Sequence, residues 1–235
     1  MTRHRFFPLA ALLALTATPA VAQEALSPYV AEYEVLRSGA VEGRATMSLT
    51  AEGDGIWRLE GHTRGTQGLA ALAGLRIDET SRFRETAEGL QCVRYDYRQT
   101  GLRKRERRVD CGADGIVSRD HRGEYQFPAQ PGVIDQQAVG LALAIDLAAG
   151  RRGKLEYQVV DREELAAQAY RVDGEDTVQV PAGRLRAMKV ERIREDARRV
   201  TTTWFGIGQG WVPVRILQAE SDGMAFELRL VSVRR

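Results

Sequence analysis

The chain has 235 residues, 43% of them hydrophobic, enough for one domain with a substantial core. Lys and Arg number 34 against 32 Asp and Glu. That near balance excludes a general binder of nucleic acid or another polyanion, which needs a clear basic excess.

Residues 1–22 read as a secretory signal. Arg3, His4 and Arg5 make a basic start, Leu9–Leu15 is a short apolar run, and Ala20-Val21-Ala22 supplies small residues for cleavage before Gln23. The apolar run falls short of the roughly twenty residues a membrane span needs. No cysteine lies near the cleavage point to carry a lipid anchor. Cleavage leaves 32 basic against 32 acidic residues. The expectation is a soluble periplasmic protein without a transmembrane anchor, with residues 23–235 forming a single β-rich domain.

Strand signals then dominate, broken by Gly-containing turns about every ten residues. Tyr29–Arg37 and Arg44–Thr50 flank a turn at Ser38–Gly43, and Ile56–Arg64 and Leu75–Glu85 follow. Between them, Gly68–Leu75 is apolar without alternation and too short to assign to a helix. Gln91–Tyr97 alternates, with Val93, Tyr95 and Tyr97 on one side and Arg94 and Asp96 on the other.

The cysteines, Cys92 and Cys111, are the only two in the chain. Gly101-Leu102 suits a two-residue type II′ hairpin turn. A turn centred there sets Cys92 opposite Cys111 at the open end of the hairpin, about 4.5–5.5 Å apart at Cα, within disulfide range. In an oxidising compartment such a pair closes. A metal site needs further ligands at suitable spacing, and a redox motif needs Cys-x-x-Cys; neither is present. The same register places Asp96 opposite Arg107, Tyr97 opposite Glu106, and Arg108 opposite Tyr95. The basic run Gly101–Arg108 is read as the solvated tip of this hairpin, with contact to lipid headgroups or cell-wall polymers as the alternative.

Ile116–Arg119 and Glu124–Phe127 are the next strand signals. Residues 134–149 (IDQQAVGLALAIDLAA) are the exception: the stretch predicts one helix packed against or inside a sheet, capped by Asp135 and stopped by Gly150. Strands resume at Leu155–Asp161, Ala167–Val172, Thr177–Val180, Arg184–Arg194, Arg198–Phe205, Val212–Ala219 and Met224–Val233. The fold class expected is mainly β: a large curved antiparallel sheet, open or nearly closed into a barrel, with one packed helix. A double-sheet sandwich is the alternative.

Several residues later in the chain are similar to a known family. Gly174–Leu185 (GEDTVQVPAGRL), then Lys189-Val190, Thr203-Trp204-Phe205 and Val212-Pro213-Val214-Arg215, resemble in order the motifs of the domain-of-unknown-function family numbered 3108. Val133–Gln136 and the opening strand around Tyr33, with Gly43, fit the same pattern; Gln179 stands where the family often has Thr. The resemblance implies an exported bacterial β protein with no assigned activity. At fold level it is similar to the unclosed barrels of periplasmic lipoprotein carriers, an analogy that assigns no ligand.

No catalytic motif stands out. His62 and His121 are read as structural or solvated. Ser118, His121 and Asp135 compose a triad only if the fold assembles them, and no Gly-x-Ser-x-Gly elbow is present. The acidic pairs Asp78-Glu79 and Glu163-Glu164 serve acid–base work only with shifted pKa values. Neither a cofactor nor a metal site is expected. Trp204 and Trp211 flank the glycine-rich Gly206–Gly210, and Arg215 follows. These three are the candidate ligand-binding residues, at the mouth of a cavity for a lipid or another apolar envelope molecule. The functional expectation is a non-enzymatic envelope protein binding such a molecule. The alternatives are an envelope interaction or scaffold protein whose interior is filled by side chains and whose partner is a protein or wall component and, behind both, a hydrolase.

Overall fold

The computed structural model describes residues 26–196 and 198–235; the expected signal at residues 1–22 lies outside them. The first half of the fold runs β1 (Tyr29–Arg37), β2 (Ala40–Gly53), β3 (Ile56–Gly65), α1 (Gly68–Leu72), β4 (Arg76–Thr86), β5 (Gly89–Thr100), β6 (Arg105–Gly112), β7 (Gly115–Asp120) and β8 (Gly123–Phe127). After β9 (Val133–Asp135) come α2 (Val139–Ala148), β10 (Lys154–Asp161) and β11 (Glu164–Val180). The chain ends with β12 (Gly183–Ile193), β13 (Arg199–Gly206), β14 (Pro213–Glu220) and β15 (Ala225–Arg234).

The fifteen strands of the described residues form one sheet in the order β8 to β1, then β15 down to β9. Each strand therefore pairs with its neighbour in sequence, except that β1 also takes β15 as a partner and the β8–β9 link is not a pairing. Every pairing is antiparallel apart from β9 with β10, which is parallel. The parallel step follows from the connection: α2 carries the chain back across, as a parallel pair requires.

Alternation makes the strands. In β1, Tyr29, Ala31 and Tyr33 are buried while Val30, Glu32 and Glu34 are only half-buried. Register shifts between Glu32 and Tyr33, between Val172 and Gly174, and between Trp204 and Phe205 bend the sheet locally, as bulges do. The curved inner face gathers Tyr33, Leu49, Leu59, Val190, Phe205 and Leu230 around α2, which buries Val139, Leu141, Leu143 and Leu147. A helix apolar nearly all round belongs inside, and here it fills part of the sheet's interior. A second cluster joins Cys92, Tyr95, Val109 and Ile116 to Val133 of β9 and Val160 of β10. The sheet thus curls until β9 rests on β5 without pairing with it, and the barrel stays unclosed.

The helix expected over residues 134–149 is shorter than predicted. Val133–Asp135 is a strand, and the helix begins at Val139 after the N-cap Ala138. Asp135 still serves the helix start, because its carboxylate accepts from the backbone N–H groups of Gln137 at 2.9 Å and Ala138 at 3.1 Å. Gly150 stops the helix at φ +79° as expected. Gly68–Leu72 is helical, and the two strands expected between Ala167 and Val180 are one bulged strand.

Cys92 and Cys111 form the expected disulfide, with Cα atoms 5.8 Å apart. The register expected around it is nevertheless displaced by one residue. Arg108 faces Asp96 and Arg107 faces Tyr97, because the turn spans more than Gly101-Leu102. Arg108 donates to Asp96 at 2.9 Å, and the Arg107 guanidinium lies 5.5 Å from the centre of the Tyr97 ring. The cysteines still meet because Val93 is an extra, unpaired residue against β4, between Arg94 facing Arg82 and Cys92 facing Phe83. This bulge turns Cys92 to the same buried side as Tyr95 and takes Val93 out of the expected Tyr95–Tyr97 row. A disulfide suggests an oxidising, extracytoplasmic setting. No helix among the described residues is long and apolar enough to cross a membrane.

Two stability measurements check this architecture. Replacing both cysteines by Ala should lower unfolding free energy by about 2–4 kcal/mol, since the bridge closes a loop of about twenty residues; urea denaturation of oxidised protein and variant reads it. Leu143 is 2% exposed, so Leu143→Asp buries an unpaired charge and should abolish cooperative thermal unfolding. An unchanged melting curve would place α2 outside the core.

Candidate ligand cavity

Between α2 and the inner face of the sheet lies a cavity of about 380 Å³, within the roughly 300–1,000 Å³ range of small-molecule sites. Met47 and Leu59 line it from β2 and β3, Phe205 and Ile216 from β13 and β14, and Leu141, Leu143 and Ala144 from the helix. Its polar groups include Glu79, Gln137, Arg192, Arg194, Thr201 and Gln218. A larger open groove of about 970 Å³ lies over β4–β7, but its lining is mostly charged side chains such as Asp96, Arg98, Glu106 and Arg108. These already pair with one another, Arg98 with Glu106 and Arg108 with Asp96. The smaller space is the better site because its wall is apolar with a few convergent polar groups.

The strand turns alternate between two ends of the barrel. Arg192, at the end of β12, and Arg194 share one end with Thr201 and Gln218. The β13–β14 loop, with Gly210, Trp211 and Val212, closes the other. Arg194 donates to the Arg199 carbonyl at 3.4 Å and the Thr201 hydroxyl at 3.2 Å. Neither Arg192 nor Arg194 makes an ion pair with a carboxylate among the described residues. Burial, with Arg192 close by, lowers the Arg194 pKa, the effect expected of two cations sharing a partly dry space.

The glycine loop is tightly built. At Gly206 an added Cβ would lie 2.6 Å from Val214 Cγ1 and 2.9 Å from Gln209 Oε1, so only glycine fits. Trp211 itself sits at φ +59°, costly for so large a side chain. Its N–H donates to the Gly206 carbonyl at 3.2 Å, and Tyr33 donates from its buried hydroxyl to the next carbonyl but one, Pro213, at 2.9 Å. The Arg152 guanidinium lies 5.9 Å from the Trp211 ring centre. The loop that carries the indole is therefore fixed on one side by a backbone bond and on the other by the Tyr33 hydroxyl.

Of the three sequence candidates, only Trp211 lines the cavity. Trp204 and Arg215 do not, while their strand neighbours Thr203, Phe205 and Ile216 do. Alternation thus places Trp204 and Arg215 on the opposite face of the sheet. There the Trp204 indole N–H donates to Asp176 at 2.8 Å, the Arg215 guanidinium lies 4.7 Å from the ring, and Arg215 bonds Glu227 at 2.7 Å. Arg215 is committed to this stack and ion pair. The residues that sequence reasoning missed, Arg192 and Arg194, carried one signal: Arg192 continues the buried alternation of Met188 and Val190.

A polar knot adjoins the cavity where β9 meets β4. Asp135 is fully buried and accepts from the Ser81 hydroxyl. Burial pushes its pKa up to about 6, against partial compensation by Ser81 and two backbone N–H groups. Glu79 is raised by burial too, and accepts from the Tyr95 hydroxyl at 2.7 Å. Both amide atoms of Gln137, which lines the cavity, are buried without a hydrogen-bond partner. The Ser118, His121 and Asp135 triad is not assembled. Ser118 is buried without a partner, His121 lies exposed beside Asp120, and Asp135 bonds Ser81 instead. His62 pairs with Asp78 at 2.7 Å. Among the described residues no group of three His, Cys, Asp or Glu side chains is placed to hold a metal ion.

Fold and cavity together define a barrel-like β protein built around an internal helix. The model of a family described as "Protein of unknown function (DUF3108)" matches residues 29–230, and the chain belongs to that family. Comparison with curated proteins finds no match. Among solved structures, the chain is similar to the "Beta-barrel-like Protein of Domain of Unknown Function DUF1849 from Brucella abortus". The TM-score is 0.55 at 11% identity, over 88% of this chain and 96% of that one. At that identity the likeness shows the fold alone.

The buried carboxylate gives a pH test. The folded state holds the Asp135 proton more tightly than the unfolded chain, whose ordinary value is 3.8. Stability contributed by this group is therefore complete below about pH 4 and lost as pH rises towards 6, by on the order of 2–3 kcal/mol. Asp135→Asn keeps an oxygen for the Gln137 and Ala138 N–H groups and removes the ionisation. The variant should gain about 1–3 kcal/mol over the parent at pH 7.5 and little or nothing at pH 4, measured by urea denaturation. A loss at pH 7.5 that is absent at pH 4 would show that the ionised carboxylate is required.

Proposed function

We propose that this chain is a non-enzymatic periplasmic protein that binds a lipid, or another elongated apolar molecule with an anionic head, inside its curved sheet. The observation that carries the reading is the cavity's polarity. An apolar wall of Leu, Met, Phe and Trp side chains ends at two half-buried arginines that have no carboxylate partner among the described residues. Arginine is suited to carboxylate or phosphate heads through paired, charge-assisted hydrogen bonds, and an apolar tail would cover Leu59, Phe205 and Ile216. The periplasmic setting rests on the signal-like residues 1–22 and on the disulfide. A second reading, an envelope protein that binds a protein partner, is favoured by the amount of the interior that α2 already fills.

Titrating a fluorescent fatty acid against delipidated protein tests the proposal. Saturable quenching of tryptophan fluorescence is expected, lost in Trp211→Phe and retained in Trp204→Phe. The double variant Arg192→Gln/Arg194→Gln should weaken binding by at least about tenfold, the equivalent of one charge-assisted hydrogen bond. A flat titration with fatty acids, phospholipids and isoprenoid lipids alike would leave the partner-binding reading.

A further inference from the structure

Among the described residues the exposed large apolar side chains are Leu69, Leu72, Leu102, Ile193, Val200 and Phe226. All six lie at one end of the barrel. Leu69 and Leu72 belong to α1, Leu102 to the β5–β6 turn, Ile193 and Val200 to strand ends flanking the β12–β13 loop, and Phe226 to the start of β15. The end is fixed by pairing, because each antiparallel hairpin returns the chain to it and Ser38 N–H bonds the Ala225 carbonyl there. It is also the end where Arg192 and Arg194 meet the cavity.

The most prominent part is the tip formed by α1 and the β5–β6 turn. Leu69 is 63% exposed, Leu72 86% and Leu102 88%. α1 buries none of its residues, so these leucines do not hold the helix in place. Backbone bonds do: Gly65 N–H to the Leu75 carbonyl at 2.8 Å, Thr66 N–H to the Glu42 carbonyl at 2.9 Å, and Leu75 N–H to the Ala70 carbonyl at 3.0 Å. The turn is set against the helix end, since a Cβ on Gly101 would stand 2.6 Å from the Ala73 carbonyl oxygen. Neighbouring, solvent-exposed apolar side chains on a hydrogen-bonded tip mark an interaction surface.

Charge identifies what it meets. Arg103, Lys104 and Arg105 follow Leu102, and Arg76 follows α1. None of the four makes an ion pair among the described residues, and Glu106 is taken by Arg98. The Glu42 carboxylate lies against Gly68, and Glu195, Asp196 and Asp222 stand on the two neighbouring loops of the same end. Leucines that project among unpaired cations match a bilayer whose surface carries anionic headgroups over an apolar interior.

We infer that this end of the barrel docks on an anionic phospholipid membrane, with Leu69, Leu72 and Leu102 entering the acyl region and Arg103, Lys104 and Arg105 on the headgroups. Docking turns the arginine end of the cavity towards the bilayer. This deepens the ligand reading, because a lipid then passes between membrane and cavity without crossing water.

Vesicle co-sedimentation of residues 23–235 tests the inference. Binding is expected to phosphatidylcholine vesicles containing about 30% phosphatidylglycerol and to fall steeply with salt. The triple variant Leu69→Asp/Leu72→Asp/Leu102→Asp changes only exposed positions and should keep the parent melting temperature while vesicle affinity drops at least about tenfold. Arg103→Glu/Lys104→Glu should remove the preference for anionic lipid. A triple variant that still sediments like the parent overturns the inference, as does a parent that ignores the anionic vesicles. So does a parent that dimerises through this tip and leaves vesicles untouched, which would make a second copy the occupant. Fatty-acid quenching in vesicle-free buffer reads the cavity separately: the triple variant should retain it, so failure of docking and failure of ligand binding are distinguishable.

Discussion

The structure depends on the pairing of β1 between β2 and β15. Val30 faces Ser48 on one side and Arg234 on the other, so a strand near the start of the described chain is completed by the last one. Without that seam the strands on its two sides would be separate meanders, each with an unshielded apolar face. The Tyr33 hydroxyl crosses the seam to the Pro213 carbonyl, beside the loop that seats Trp211. The cavity wall follows from it: Met47 and Leu59 come from one side, Phe205 and Ile216 from the other.

A meander this long cannot fill its own interior with strand side chains alone. The helix between β9 and β10 occupies part of the space, and the parallel step it requires leaves β9 lying on β5 rather than hydrogen-bonded to it. That junction carries the polar groups that are hardest to accommodate. Asp135 ties the strand end to the helix start, Ser81 and Glu79 bring β4 to it, and Arg107 crosses from β6 to Asp161 of β10. Buried polar groups of this kind cost stability unless each finds a partner. The Gln137 amide is buried without one beside the cavity.

Strand periodicity was readable residue by residue where one face is buried, and so was the staple. The Cys92–Cys111 bridge depends on two residues in a hairpin, and hairpin pairing is local. The same locality explains the displaced register around it. A longer turn and the bulge at Val93 cancel at the cysteines but not at Asp96 and Tyr97, and nothing in a single strand announces a bulge. The helix boundary was displaced for a related reason. Val133 and Ile134 are as apolar as the helix that follows, and only the presence of β10 alongside makes them a strand.

By itself the sequence determined the class of fold, the disulfide and the internal helix, because each is written in short-range pattern: alternation, cysteine spacing, an apolar run with a glycine stop. Tertiary structure alone decided which side of the sheet each candidate faces and which neighbours it meets. Trp204 and Trp211 stand close in sequence, yet one is hydrogen-bonded to Asp176 on the outer face and the other lines the cavity. Arg215 stacks on Trp204 and pairs with Glu227, whereas Arg192 and Arg194, unremarked in the sequence, meet the cavity and form no ion pair among the described residues. The physical reason is that facing and partnership are set by register and curvature, which depend on strands far apart in the chain and on bulges that no local pattern records.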